Sequence, residues 1–217
     1  MKGKDIVIIG AGGFGREVQW LIERINTIQG EAWNLLGYVD DGLTIGTQID
    51  DLPVLWNSDD LVNIKEELAV VCAIGASRTR KKVLDKITGN NYLTFPNLID
   101  PSALSSKRNQ LGKGNIVCAG NIFTVDICMG DFNIINLDCT IGHDVNIGSF
   151  VTLYPSVNVS GCVTVGDETE LGTGSHLIQG VTVGAETVIG AGTVVIRDVP
   201  ARCTAVGNPA KVIKSRE

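Results

Sequence analysis

The chain of 217 residues contains two histidines, and one of them, His143, is followed at once by Asp144. A carboxylate beside an imidazole can fix its tautomer and raise its basicity, which suits general acid–base chemistry near neutral pH. A solvated turn histidine is the plain alternative. His176 is open to two readings, as part of a ligand groove or as a corner residue without a chemical role. Two histidines do not make a three-histidine zinc site, so no resident metal is expected. A second chemical signal is Gly10-Ala11-Gly12-Gly13-Phe14-Gly15. It follows the buried-strand pattern of Asp5 to Ile9 and precedes an amphipathic run, Arg16 to Arg24. Strand, GxGxxG and helix in that order let the backbone approach a phosphate or sugar and point free helix N–H groups at it. A purely structural turn and a full NAD-binding module are the competing explanations.

These residues need elements to hold them. A second strand is expected at Leu35–Val39, ending at Asp40-Asp41, where acidic residues often meet a ribose hydroxyl. A third runs from Leu68 to Ile74 and ends at Gly75, with a helix after it from Arg78 to Thr88. Only about 95 residues make up this region. That is too few for a six-stranded dinucleotide fold, so an α/β half-Rossmann domain holding one nucleotide moiety is expected.

From Leu111 to Val195 every sixth residue is aliphatic or aromatic, through fifteen hexads, and glycine recurs in the position after it eight times. A hexapeptide period is the mark of a parallel β-helix. The unit reads aliphatic-Gly-x-x-small-x, with the aliphatic residue and the small one sharing the interior. The glycine suits either a positive φ or a close backbone approach. Three hexads close one triangular coil, so His143, third in its hexad, falls on a turn and points outward. Asn136 stands where glycine or aspartate is more usual. The prolines at 96 and 101 punctuate a boundary, giving domains at 1–97 and 98–217.

Hydrophobic residues make up 44% but aromatics only 5%, as a long, narrow aliphatic core requires. Net charge is −6 with no basic run, which argues against nucleic acid or an anionic membrane as partner. No apolar stretch is long enough to span a membrane, and no signal-peptide pattern opens the chain, so a cytoplasmic location is expected. The cysteines at 72, 118, 128, 139, 162 and 203 form no CxxC. They are read as reduced and mostly buried, without a feature that activates a thiolate.

The motifs Ile8-Ile9-Gly10-Ala11-Gly12-Gly13-Phe14-Gly15-Arg16-Glu17-Val18, Gly37-Tyr38-Val39-Asp40-Asp41, Ile74-Gly75, Ile135-Asn136, Ile141-Gly142-His143-Asp144 and Val206-Gly207-Asn208-Pro209-Ala210-Lys211 occur in that order. In this the chain resembles the bacterial sugar acetyltransferases of the hexapeptide superfamily, over nearly its whole length. The resemblance implies a Rossmann-like N-terminal domain, a left-handed parallel β-helix of hexapeptide repeats, and a homotrimer with its coenzyme groove between subunits. It implies acetyl-CoA as co-substrate, with His143 as general base and Asp144 as its partner, where relatives can carry glutamate. Motif matching places Thr152, Gly161, Thr173 and Ala191 along the coenzyme groove, with the Gly161 N–H as a candidate oxyanion donor. Relatives can carry histidine where Thr152 stands. Gly12, Gly13, Phe14, Asp40, Asp41 and Gly75 are matched to the sugar-nucleotide site. Asn136 either orients the acceptor or His143, or simply forms its turn. Arg197, Lys211 and Lys214 are candidates for the coenzyme 3′-phosphate. The implied activity is N-acetylation of a nucleotide-linked amino sugar, of the 4-amino-4,6-dideoxy kind, for surface glycan synthesis. O-acetylation of a sialic acid or polysaccharide precursor is the alternative enzyme, and a non-catalytic trimeric scaffold the alternative outside enzymes.

Overall fold

The computed structural model describes residues 3–216 and divides into two compact units, parted between Pro101 and Ser102. The first unit is an α/β layer. Its elements are β1 (Lys4–Ile9), α1 (Gly13–Gln29), β2 (Trp33–Val39), β3 (Gln48–Ile49), β4 (Leu52–Trp56), β5 (Leu68–Cys72), α2 (Ser77–Ile87) and β6 (Leu93–Thr94). The sheet order is β3-β4-β2-β1-β5-β6, parallel throughout except that β3 runs antiparallel to β4. The chain therefore leaves β1 toward β2 and later returns to the other side of β1 as β5. That reversal opens a crevice at the carboxyl ends of β1, β2 and β5, where open α/β sheets bind ligands.

Sequence explains most of this. Ile6 to Ile9 and Leu68 to Cys72 are apolar without alternation and are buried, as strands covered on both faces must be. In α1, Val18, Leu21, Ile22 and Ile25 recur at helical spacing and are buried. Three strands carried no signal of this kind. β3 and β6 are two residues long, and β4 is a five-residue run broken by Pro53. The expected third strand also stops early, at Cys72, and 73–76 is loop.

The second unit is a parallel β-helix. Each hexad gives a two-residue strand that pairs with the strand one coil on: Ile134–Ile135 with Thr152–Leu153, then Glu170–Leu171, then Val188–Ile189. Three such stacks form the three faces of the prism. Ile135, Leu153, Leu171 and Ile189 point inward and are buried.

Two features of the hexad were not readable in advance. The left-handed residue of the turn is three places after the aliphatic one, whatever its type: Asp126, Phe132, Asp138, Asp144, Phe150, Ser156 and Cys162 all have φ between 57° and 60°. The recurring glycine serves close approach instead. A Cβ on Gly142 would lie 2.5 Å from the Gly161 nitrogen of the next coil. The second feature is the interior position given to a small residue. In the early coils it holds asparagine, because an amide there can accept a turn N–H one coil on. Asn115 Oδ1 accepts from the Asn133 N–H, Asn133 Oδ1 from Val151 and Asn121 Oδ1 from Cys139. Later coils carry valine, threonine and serine there.

The last coil strand, Cys203–Val206, is followed by a strand in the opposite direction. Lys211–Ser215 pairs antiparallel with it and is exposed along its whole length.

Candidate active site

In the β-helix the site is centred on a turn. His143 and Asp144 leave the strand Thr140–Ile141 at one edge of the prism, and their side chains are 50% and 59% exposed. Asp144 Oδ2 lies 2.8 Å from His143 Nδ1. With the carboxylate accepting from Nδ1–H, Nε2 is left as the acceptor, which is the tautomer a general base requires. The aspartate, though shorter than a glutamate, reaches the ring from a left-handed backbone (φ 58°).

Gly161 occupies the same edge one coil on. A Cβ there would sit 2.5 Å from Nε2 and 2.6 Å from Cε1 of His143. The imidazole therefore lies, Nε2 edge first, against the bare backbone of Gly161, where no other residue type would leave it room. Cys162 N–H donates to the His143 carbonyl at 2.8 Å, and the Gly161 carbonyl accepts from Gly180 N–H at 3.0 Å. The Gly161 N–H itself has no hydrogen-bond partner among the described residues. A free amide beside a base is the equipment for polarising a carbonyl.

The other residues matched to the coenzyme groove are not collinear with Gly161. Thr173 and Ala191 are exposed and lie on the next edge, where Gly192 N–H donates to the Thr173 carbonyl and Gly174 N–H to that of Pro155. The face between the two edges presents Asn158, His176 and Val194 outward. His176 is thus a strand residue and not a corner one. Thr152 is a correction: it is 1% exposed within the chain, so its side chain offers a ligand no surface there. Asn136 Oδ1 accepts the N–H of the next residue, Leu137, at 2.7 Å. Arg197 and Lys211 line a shallow cavity with Asp198 and Pro209.

The cysteines are mostly buried as expected, Cys72, Cys118, Cys139 and Cys203 being buried and Cys128 and Cys162 exposed. Burial pushes the Cys139 thiol up to about 11 and the Cys72 thiol to about 11.

In the α/β unit the crevice gathers the glycine loop, Asp40-Asp41 and Gly75 at the ends of β1, β2 and β5. The glycines divide the work. Gly10 adopts φ 97°, and a Cβ on Gly15 would strike the Gly10 carbonyl at 2.0 Å. Gly12 and Gly13 have open space where a side chain would be, and α1 starts there without a side-chain cap. Its first N–H groups face that space.

Asp40 and Asp41 are both tied to neighbouring backbone at the carboxyl end of β2. Asp40 accepts the Ala11 N–H through Oδ2 (2.9 Å) and the Gly42 N–H through Oδ1 (2.8 Å). Asp41 accepts from the N–H and the hydroxyl of Ser58 at 2.6 and 2.8 Å. Both carboxylates tie neighbouring loop segments together. Arg80 was missed altogether. It is 1% exposed, and its Nη1 donates to the carbonyls of Ile74 (2.6 Å) and Gly75 (2.9 Å), fixing the loop after β5. Its signal was present: it shares the inward stripe of α2 with Val83, Leu84 and Ile87.

An α/β crevice joined in one chain to a hexapeptide β-helix with a His–Asp edge defines a class of acyltransferase, and the chain belongs to it: the hexapeptide-type bacterial sugar acetyltransferases, with a left-handed β-helix. The PglD N-terminal domain model matches residues 5–87. Perosamine N-acetyltransferase from Caulobacter crescentus, solved as a histidine-to-asparagine variant with CoA and GDP-perosamine, is 33% identical, with 97% of each chain covered and a TM-score of 0.85. The acetyltransferase domain of PglB from Neisseria gonorrhoeae, in complex with acetyl coenzyme A, is 29% identical over 97% of this chain and 100% of that one, with a TM-score of 0.87. WeeI from Acinetobacter baumannii is 29% identical over the same shares, with a TM-score of 0.86. No curated protein sequence matches the chain.

Proposed function

We propose that this acetyltransferase moves the acetyl group of acetyl-CoA onto the amine of a nucleotide-linked amino sugar, of the 4-amino-4,6-dideoxy kind, in surface glycan synthesis. The observation that carries the reading is the His143–Asp144 pair at 2.8 Å, seated against Gly161, whose N–H makes no hydrogen bond among the described residues. It is supported by likeness, over 97% of both chains, to an enzyme solved with CoA and GDP-perosamine.

In the reaction the sugar amine attacks the thioester carbonyl. His143 Nε2 takes the amine proton as the C–N bond forms, while Asp144 stabilises the imidazolium. The Gly161 N–H donates to the developing oxyanion, a contribution of about 2.7–4 kcal/mol in comparable sites. Collapse expels the coenzyme thiolate, which His143 reprotonates. No protein nucleophile is needed. Thr173 and Ala191 border the coenzyme groove. The open amides of Gly12, Gly13 and Phe14 receive the sugar nucleotide, with Gly75 closing the crevice. Asp40 and Asp41 hold that crevice in shape. The enzyme works as a homotrimer in the cytoplasm; among the described residues no helix is long and apolar enough to cross a membrane.

The test is a panel of UDP-, GDP- and dTDP-linked amino sugars, alongside free sialic acid, with thiol release as readout. Turnover is expected with a nucleotide amino sugar. Turnover with sialic acid alone would replace this reading by O-acetylation, and no turnover with any acceptor would favour a scaffold.

A further inference from the structure

The edge that carries the base carries a third chemical group, which the reaction does not use. Cys162 stands one coil on from Asp144 at the same turn position, and both have left-handed backbones, φ 59° and 58°. One ligand atom from each of His143, Asp144 and Cys162 lies within 4.8 Å of the other two. The three side chains are exposed, and the backbone beneath them is pinned by the Cys162 N–H bond to the His143 carbonyl. An imidazole nitrogen, a carboxylate oxygen and a thiolate are a preferred donor set for zinc. Around a tetrahedral zinc such atoms stand about 3.3–3.6 Å apart, so closing the set asks roughly 1 Å of movement from each.

We propose that His143, Asp144 and Cys162 form an inhibitory site for a thiophilic divalent cation, Zn²⁺ or one like it. The inhibition rests on His143 being the general base. As sulfur binds, the thiol proton passes to solvent. If Nε2 is the nitrogen taken, the lone pair that accepts the amine proton is occupied. If Nδ1 is taken, the Asp144 contact is broken and the base loses its orientation. Either way turnover stops until the cation leaves. Catalysis itself needs no metal, and the site acts as a switch against it.

The experiment uses Co²⁺ as the spectroscopic probe and Zn²⁺ as the inhibitor, on the metal-free enzyme. Wild type is expected to bind one equivalent of Co²⁺ with a thiolate-to-cobalt charge-transfer band. Cys162→Ser should lose the band and weaken Zn²⁺ by at least the roughly 10–100-fold that losing even an outer partner costs. Serine is tolerated there, since Ser156 holds the same turn position at φ 60°. Cys128→Ser, which removes the other exposed thiol, should bind as wild type does. Zn²⁺ should arrest wild-type turnover, a chelator should restore it, and Cys162→Ser should resist. No saturable binding, or a band that survives in Cys162→Ser, overturns the site. Binding without inhibition overturns the switch. Full turnover in metal-free His143→Ala would instead remove the base assignment while leaving the cobalt result standing, so the two failures are told apart.

Discussion

The imidazole of His143 is held from two sides, by a carboxylate on Nδ1 and by a bare glycine against Nε2, and each side can be tested alone. His143→Ala should lower kcat by about 10²-fold or more, the usual loss for a general base. Its thermal midpoint should stay near wild type because the side chain is half exposed. Steady-state kinetics with calorimetry check both. Gly161→Ala is subtler. The new Cβ meets the imidazole and not backbone, so the fold yields but the ring must move. A displacement of about 1 Å at a catalytic group can cost as much as 10²-fold. A loss of that order in kcat with an unshifted melting curve is expected, and unchanged kcat would mean the ring contact is idle. The cysteines give a third test. With the Cys139 and Cys72 thiols raised to about 11, iodoacetamide near neutral pH should modify Cys128 and Cys162 in the native protein and spare the other four. Peptide mass spectrometry reads this directly. At this scale the sequence was legible where partners are adjacent, as in His143-Asp144. It was less so where they are a coil apart, as with Gly161 and Cys162. It did not show the loop bonds of Asp40, because a carboxylate's identity does not say which N–H groups it accepts from.

Elements were more legible than residues. The hexad period predicted strand pairing one coil apart, because an inward aliphatic residue at every sixth position has only one way to form continuous columns. What stayed hidden was the division of labour inside the hexad. Glycine after the aliphatic residue looked equally suited to a special φ, but the coil spacing decides for close approach, and the special φ falls two places later, on glycines such as Gly120 and Gly174 but also on aspartate, glutamate, phenylalanine, serine and cysteine. In the α/β unit the long apolar strands announced themselves, whereas β4, interrupted by Pro53, did not. The glycine loop makes a prediction of its own. Gly13 has nothing within 4 Å of an added Cβ, so Gly13→Val should leave the unit folded while filling the space over the start of α1. The KM for the sugar nucleotide should rise strongly, with acetyl-CoA affinity nearly unchanged. Calorimetric titration of each ligand decides. Weakened acetyl-CoA with the sugar nucleotide spared would reverse the roles of the domains.

For the whole molecule the expectation is a trimer. One face of the prism presents Leu104 and Ile122 outward, 64% and 42% exposed, and Ile178 and Ile196 lie exposed just after later strands of the same face. Exposed aliphatic side chains at both ends of one face suit coverage by other copies of the chain, and closed rotational symmetry covers them without leaving a free end. Light scattering under assay conditions should give three chains. A fully active monomer would contradict this and place the complete site within one chain.

The reversed final strand carries a different consequence. A stack of parallel coils ends in unpaired peptide groups, and such an end is a template on which another chain can add itself. Lys211–Ser215 doubles back across that end, antiparallel, with Lys211 and Lys214 among its exposed residues. The next chain would have to pair with a short, charged strand running the wrong way for the coils to continue. On that one face, a fold whose geometry invites fibres is in this way closed to further coils.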